Sequence, residues 1–250
     1  KIISLIPVVL FSFEKIFKNQ LIYVPLLDIF QLFFLLVSFY FFILGITNRR
    51  KKFILFAFSN LFLGFFISTK FFITGLTVFG AYFLTLLINK DRRGIVYLIT
   101  TTPIAIIVLL SSYLRVLAFG YSIRELIGIQ KWVYLYHNSF LIFPFSIWPL
   151  LLFNKWYVWF GDKPIITDSQ WSITWPILII IYTGGLFLYF FRKIKIRKQE
   201  LIFFVWPAVY LFFHSFGQAF SRYFVILIPV LYIVAIKVII EIIKTSKTKK

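Results

Sequence analysis

Residues 25–52 read PLLDIFQLFFLLVSFYFFILGITNRRKK, and this stretch decides the fold of the chain. It contains about twenty apolar residues, which is enough for one helix to cross a bilayer core. Its far end carries four consecutive cations, Arg49 to Lys52, and such a cluster stays on the cytoplasmic side. Asp28, just inside the apolar run, is therefore expected at the outer face.

Asp28 has two readings. An ionisable group near the end of a membrane span indicates function by default. The plainer alternative is an Asp that caps the start of a helix.

The composition indicates a polytopic membrane protein. The 250 residues are 61% hydrophobic, with mean hydropathy +0.94 and 35 Phe. No soluble domain needs so much apolar surface. The absence of Cys excludes disulfides, thiol catalysis and zinc–thiolate sites. The net charge of +19 comes from short clusters between apolar runs, so it indicates membrane topology rather than nucleic-acid binding.

The apolar runs predict an all-α, polytopic transmembrane helical bundle with about eight spans, forming one transmembrane domain over residues 1–250. Residues 14–20 are expected to form a polar outer loop, and residues 120–171 an aromatic outer loop with a re-entrant or interfacial element. Within it, residues 124–136 fit an amphipathic helix lying on the membrane. Because the chain contains no Met and begins at Lys1, we also expect its natural N-terminus to be missing. The predicted spans are 2–13, taken as the outer part of a span, then the helix within 25–52, and then 53–68, 71–88, 94–119, 172–191, 201–213 and 223–243.

The other basic clusters support this orientation. They place most of the 27 Lys and Arg residues on the inner side, together with the C-terminus. The chain is therefore expected in the cell membrane, with its basic loops in the cytoplasm and its active face outside. Asp91 and Glu241 lie among the inner cations and are expected to be their charge partners.

Several unusual polar residues are expected at the outer face. Lys70 ends one span and is either a snorkelling lysine or a cation for an anion such as phosphate. Arg222 begins the last span, and its guanidinium suits phosphate in a bidentate manner. His137 lies among Tyr134, Tyr136 and Asn138 and is either structural or functional. His214 has a weaker case of the same kind.

Other chemistry is not visible in the sequence. Asp162 and Asp168 are expected to be solvated turn residues. No HExxH, P-loop or GxGxxG spacing is present, and no two carboxylates lie in the arrangement that acid–base pairs need.

Four segments resemble a known superfamily. PLLDIFQLFF (25–34) is similar to the "LLD…L..FF" segment of protein O-mannosyltransferases and the "LLD" segment of lipid A aminoarabinose transferases. LGFFISTKFFITGL (63–76) resembles the "LG…STK" segment one hairpin later in both families. KWVYLYHNSF with FPFSIWPLLLFNKWYVWF (131–160) resembles a mannosyltransferase stretch, and SRYFVILIPVLYIVA (221–235) resembles the final helix. Together they resemble the GT-C superfamily of membrane glycosyltransferases.

The resemblance implies a reaction and a set of site residues. Such enzymes move a sugar from a polyprenyl-monophosphate carrier to an acceptor hydroxyl, with inversion, and commonly without metal or cofactor. The expected acceptor is a protein, lipid or glycan. The catalytic base would be an acidic residue before Lys1. Asp28 would match a second acidic position, while Lys70, Arg222 and His137 would hold phosphate or acceptor.

Two other classes stay open. One is a carrier or flippase for lipid-linked sugar, which would place polar residues at the bilayer midplane on discontinuous helices. The predicted spans are almost uniformly Phe, Leu and Ile there, which disfavours it. The other is a non-catalytic membrane scaffold.

Overall fold

The structure is a computed structural model that describes residues 5–23, 27–69, 72–138, 143–158 and 164–247. These residues are mainly helical, as the sequence predicts. The helices are α1 Ile6–Ser12, α2 Lys15–Lys18, a π-helical segment Asn19–Tyr23, α3 Leu27–Thr47, α4 Lys52–Thr69, α5 Phe72–Ile88, α6 Arg92–Ser111, α7 Leu114–Ala118, α8 Ile123–Asn138, α9 Ile147–Phe153, α10 Thr174–Phe190, α11 Leu201–His214, a 3-10 turn Ser221–Tyr223 and α12 Phe224–Lys247. In the part of the chain that the structure describes, one antiparallel pair joins β1, Trp156–Tyr157, to β2, Ile165–Ile166, and we call it the hairpin.

Four helical segments among the described residues are long and apolar enough to cross a membrane: Asp28–Thr47, Lys52–Thr69, Arg92–Ala118 and Ser221–Ser246. Three shorter apolar helices are Thr74–Ile88, Thr174–Phe190 and Leu201–His214. The four long segments coincide with four of the predicted spans and indicate a membrane protein, and the three shorter helices overlap three more of the predicted segments. For the eighth, α1 covers only seven residues, so the count of eight stays a prediction.

α12 lies at the centre of the bundle. The segment 25–52, which the sequence singled out as deciding the fold, does not. Two thirds of the α12 span is buried inside the protein (67%), compared with 39% of the span in α3. α12 packs against α1, α3, α10 and α11. Hydropathy alone could not reveal this, because a helix facing lipid and a helix facing other helices are equally apolar.

Polar side chains inside the helices bond to one another. Ser38 in α3 lies 2.7 Å from the Ser59 carbonyl in α4 and 2.6 Å from the Tyr82 hydroxyl in α5. Asn60 in α4 donates to Thr101 in α6 over 2.7 Å. Interhelical hydrogen bonds of this kind join helices where water is absent.

One end of the bundle gathers the basic loops, and we call it the basic end. Lys52 pairs with Asp91, and Lys237 lies 3.0 Å from Glu200. Glu241 accepts from Lys237 and Lys244, so the prediction that Asp91 and Glu241 are charge partners of cations is confirmed. Asn89 also donates to the Lys198 carbonyl, which brings the basic loop after α5 against the basic loop after α10.

The opposite end carries the β1–β2 hairpin, and we call it the hairpin end. Two indole N–H groups form hydrogen bonds to main-chain carbonyls at this end. Trp156 Nε1 donates to the Ala219 carbonyl over 2.8 Å, and Trp171 Nε1 donates to the Leu151 carbonyl over 3.1 Å. The amide of Phe145 donates to the Ser215 carbonyl. The bonds of Trp156 and Phe145 attach this part of the chain to the segment between α11 and α12, and the bond of Trp171 joins the start of α10 to α9.

The region predicted as one long outer segment contains two helices. α8 covers the predicted amphipathic helix, and Ser122 and Glu125 cap its start reciprocally. The hydrogen bonds from Ser122 lower the pKa of the Glu125 carboxyl. α9 has only seven residues, too few to span a bilayer. The two strands were not predicted, because a strand of two residues is too short to show an alternation of apolar and polar residues.

The expectation of a polar loop at residues 14–20 is wrong. Residues 15–23 are helical, and Glu14 is 3% exposed. Its carboxylate accepts hydrogen bonds from Thr174 and Trp175 in α10 and from Tyr232 in α12. A buried carboxylate needs such donors, and here they come from two helices distant in sequence. Glu14 therefore fastens the first helices to the centre of the bundle.

Replacing Glu14 with Ala is expected to lower the thermal unfolding midpoint of the protein in detergent micelles, followed by tryptophan fluorescence. The change leaves the buried donors of Trp175 and Tyr232 without their acceptor, and each lost partner costs about 1–3 kcal/mol. Glu125→Gln is the control, because it removes an exposed carboxylate and Gln can still cap α8. Equal midpoints for the two variants would contradict the fastening role.

Two adjacent glycines in α10 provide a matched test of helix packing. A Cβ at Gly185 would lie 2.4 Å from Val238 Cγ2 of α12, whereas a Cβ at Gly184 meets nothing within 4 Å. Gly185→Ala is expected to destabilise by about 1–3 kcal/mol through overpacking. Gly184→Ala is expected to stabilise by up to about 1 kcal/mol through helix propensity. Opposite signs in unfolding measurements would support the close α10–α12 contact, and equal signs would contradict it.

Candidate functional site

Asp28 lies in the first turn of α3 and is buried, with 4% of its surface exposed. Its charge acts on two tyrosines from other helices, Tyr210 of α11 and Tyr223 of the 3-10 turn before α12. A carboxylate in a first helical turn is also favoured by the helix dipole. Both readings of Asp28 from the sequence therefore stay open, but its surroundings are those of an interior site and not of a solvated cap.

Arg222 lies beside the same tyrosine. Its guanidinium lies 5.1 Å from the ring centre of Phe220 and 5.6 Å from that of Tyr223. Its Nε atom is buried and has no hydrogen-bond partner among the residues that the structure describes. Asp28 and Arg222 therefore both lie within electrostatic range of Tyr223.

An aromatic cluster supports this pair. The Tyr210 hydroxyl donates to the Tyr223 carbonyl over 2.9 Å, which fixes the turn before α12 against α11. The His214 ring lies 4.2 Å from the Tyr210 ring and 5.2 Å from the Tyr223 ring. Sequence reasoning gave no weight to the two tyrosines and little to His214. The available signal was the i, i+4 spacing of Tyr210 and His214, which places them on one face of a helix.

A cavity of about 420 Å³ opens beside Arg222 at the hairpin end. Its volume lies within the range of small-molecule sites, about 300–1,000 Å³. The lining residues come from β1, from the turn after β2 and from the start of the last helical segment: Trp156, Thr167, Asp168, Ser169, Gln170, Phe220, Ser221 and Arg222.

Asp168, predicted to be a solvated turn residue, is buried, with 8% of its surface exposed. Its amide donates to Asn154 Oδ1 over 2.8 Å, and its Oδ1 accepts from the Gln170 amide over 2.7 Å. Asn154 adopts a left-handed backbone conformation at the end of α9, with φ of 55°. The prediction failed because Asp168 is held by Asn154, 14 residues earlier, and the sequence did not reveal this contact.

The structure gives less information on Lys70, Asp162 and His137. Lys70 and Asp162 lie outside the described residues. His137 lies in the last turn of α8, but its side chain is not among those described. The structure therefore neither brings Lys70 and His137 to Asp28 nor separates them from it.

The chemistry available at this end is that of a buried carboxylate, a guanidinium and phenolic hydroxyls. The carboxylate accepts protons or hydrogen bonds, and the guanidinium binds anions. Within the described ranges, no three His, Asp or Glu side chains are grouped closely enough to hold a metal ion. A reaction without metal or cofactor stays a prediction.

Comparisons with models of protein families, with curated proteins and with solved structures found no match for this chain. The resemblance to the GT-C superfamily therefore depends on the quoted segments alone.

Tyr210→Phe removes one fully buried hydroxyl and its bond to the Tyr223 carbonyl. We expect this variant to lose about 0.5–1.5 kcal/mol of stability, the usual contribution of one such hydrogen bond. Tyr40→Phe, at a hydroxyl-bearing ring that is 58% exposed, is the control and should leave the unfolding midpoint unchanged. A neutral Tyr210→Phe would show that this bond does not fix the turn.

Proposed function

We propose that this chain is a multi-pass membrane glycosyltransferase of GT-C type. It moves a hexosyl or pentosyl group from a polyprenyl-monophosphate carrier to an acceptor hydroxyl, with inversion. The observation that carries the proposal is the approach of Asp28 and Arg222 to one tyrosine beside an open cavity. This group lies at the end opposite the basic loops, where the positive-inside rule puts the extracytoplasmic face.

The reaction needs two kinds of group: first, a base that removes the hydroxyl proton, and second, cations that stabilise the leaving phosphate. The acceptor hydroxyl attacks the anomeric carbon, the bond from that carbon to the phosphate oxygen breaks, and the lipid phosphate leaves with the electron pair. The hydroxyl proton passes to a carboxylate base. Cations must offset the charge that develops on the leaving phosphate, and such preorganised groups are usually the largest catalytic contribution.

Arg222 fits the second of these, a cation for the leaving phosphate. Its guanidinium offers several donors in a planar fork that matches phosphate, and its Nε is buried without a partner among the described residues. Its side chain is held by two aromatic rings, so little rotamer freedom would be lost when an anion binds. Lys70 is proposed as a second cation for the same phosphate and His137 as a contact to phosphate or acceptor.

Asp28 fits a positioning role. By the family resemblance the base is another acidic residue, in the first outer loop, and Asp28 supports the site. Its burial beside Tyr210 and Tyr223 suits a carboxylate that orients neighbouring groups rather than one that exchanges protons with bulk water. The polyprenyl chain of the donor would lie in the bilayer, so donor and enzyme meet in the membrane.

The alternative of a carrier or flippase receives less support. A carrier needs discontinuous helices and open polar positions at mid-membrane. α3 and α4 are continuous over 21 and 18 residues, and the mid-helix polar groups Ser38, Ser59 and Asn60 bond to neighbouring helices.

A transfer assay tests the proposal. Membranes containing the full-length protein are incubated with radiolabelled polyprenyl-phosphate sugars, and label in glycan, lipid and protein fractions is counted. Arg222→Gln is expected to lower transfer about 10²–10³-fold, the usual loss for one group that stabilises developing charge. Asp28→Asn and Lys70→Ala are expected to lower it as well.

The matched control is Arg197→Gln, which removes an exposed arginine at the basic end and should leave transfer unchanged. Full transfer by both Arg222→Gln and Asp28→Asn would refute the assigned site. Movement of labelled lipid across the bilayer without any transfer would favour the carrier.

A further inference from the structure

We propose that the cavity between the hairpin and Phe220–Arg222 binds a carbohydrate ring and that Asp168 is its main polar contact. If the proposed function holds, this carbohydrate is the acceptor, so the acceptor would be a glycan rather than a protein. The role as acceptor rests on the proposed function, whereas the binding of carbohydrate does not.

The walls of the cavity have the mixed character that a sugar requires. A pyranose ring has hydroxyl groups around its edge and apolar C–H groups on its faces. Trp156 and Phe220 supply aromatic surfaces, with ring centres 5.9 Å apart. Asp168, Gln170 and Arg222 supply acceptors and donors around them.

Unused hydrogen-bonding groups point to a polar ligand. Gln170 Oε1 and Arg222 Nε are both buried and lack partners within the described parts of the chain. Each such atom carries a desolvation penalty that a ligand hydroxyl would relieve. A purely apolar ligand would leave the penalty in place, so the cavity does not fit an acyl chain.

Asp168 is positioned before any ligand arrives. Its Oδ1 accepts the Gln170 amide, and its own amide is held by Asn154, so backbone and carboxylate are both fixed. A fixed carboxylate can accept two neighbouring hydroxyls of one sugar with little loss of entropy. Because hydrogen bonds to a charged group are the stronger ones, Asp168 should dominate the affinity.

A peptide fits this cavity less well. Extended peptides bind by adding a strand to an exposed sheet edge. Here each strand has two residues, which offers too few backbone groups for such pairing. Exposed Thr167 and Ser169 at the mouth instead face solvent, from which a soluble glycan would enter.

Arg222 connects this cavity to Asp28, since it lines the cavity and acts on the same tyrosine as Asp28. A sugar bound to Asp168 would therefore have a hydroxyl beside the proposed phosphate contact.

The charges of Arg222 and Asp168 also predict which sugars bind better. A sugar acid should bind better than the neutral sugar through Arg222, and Asp168→Asn should increase that preference while weakening neutral sugars.

Ligand-observed NMR on the full-length protein in lipid nanodiscs tests the binding. Saturation transfer is measured to methyl glycosides of mannose, glucose and galactose, to glucuronate and to a Ser/Thr-containing hexapeptide. At least one glycoside should show saturable transfer to its ring protons, and Asp168→Asn should weaken the binding of that glycoside about tenfold or more.

Asp168→Asn keeps the oxygen that accepts the hydrogen bond from the Gln170 amide, so the turn should keep its conformation. Trp156→Phe keeps a ring on the wall and should weaken binding less.

Glu125→Gln, an exposed acid-to-amide change, is the matched control and should bind as the unmodified protein does. No glycoside binding, or equal binding by Asp168→Asn with an unchanged unfolding midpoint, would overturn the proposal. So would saturable binding of the peptide alone.

The transfer assay separates this inference from the proposed function. Glycoside binding without transfer from any polyprenyl donor would refute the enzyme and retain the carbohydrate site. Transfer that glycosides do not inhibit, with an acceptor KM unaffected by Asp168→Asn, would retain the enzyme and refute the carbohydrate site.

Discussion

The bundle depends on one constraint: polar groups on helices that face lipid or each other must find partners inside the protein. Ser38, Ser59 and Tyr82 meet this constraint between α3, α4 and α5, and Glu14 meets it between α1, α10 and α12. Apolar packing between such helices has little direction, because lipid tails are as apolar as Leu. The few hydrogen bonds therefore decide which helices become neighbours.

The same constraint separates the two ends of the molecule. At the basic end, cations meet carboxylates in simple pairs such as Lys52 with Asp91 and Lys237 with Glu200. At the hairpin end, Asp28 and Arg222 both act on Tyr223, and Arg222 Nε is buried without a hydrogen-bond partner among the described residues. Satisfied pairs indicate structural roles, whereas unused capacity beside a cavity indicates binding. This contrast, rather than any single residue, places the candidate site.

The sequence predicted local elements well and long-range contacts poorly. The apolar runs located α4, α5 and α11 to within a residue or two, because a span of lipid-compatible residues bounded by charges has few alternatives. That Asp28 and Arg222 both act on Tyr223 agrees with their predicted position at the same end of their helices. The burial of Glu14 and Asp168 could not be predicted, because it depends on partners 14 to 218 residues away. The central place of α12 was equally hidden, since its composition matches that of lipid-facing helices.

The tryptophans of the hairpin end donate to main-chain carbonyls, Trp156 to Ala219 and Trp171 to Leu151. A carbonyl is present whatever residue supplies it, so these hydrogen bonds place no requirement on the side chains at 151 and 219, which are constrained by their burial in the core. The hydrogen bonds do require the indoles, because Phe lacks the N–H and Tyr carries its hydroxyl elsewhere. Homologous chains should therefore keep Trp at 156 and 171.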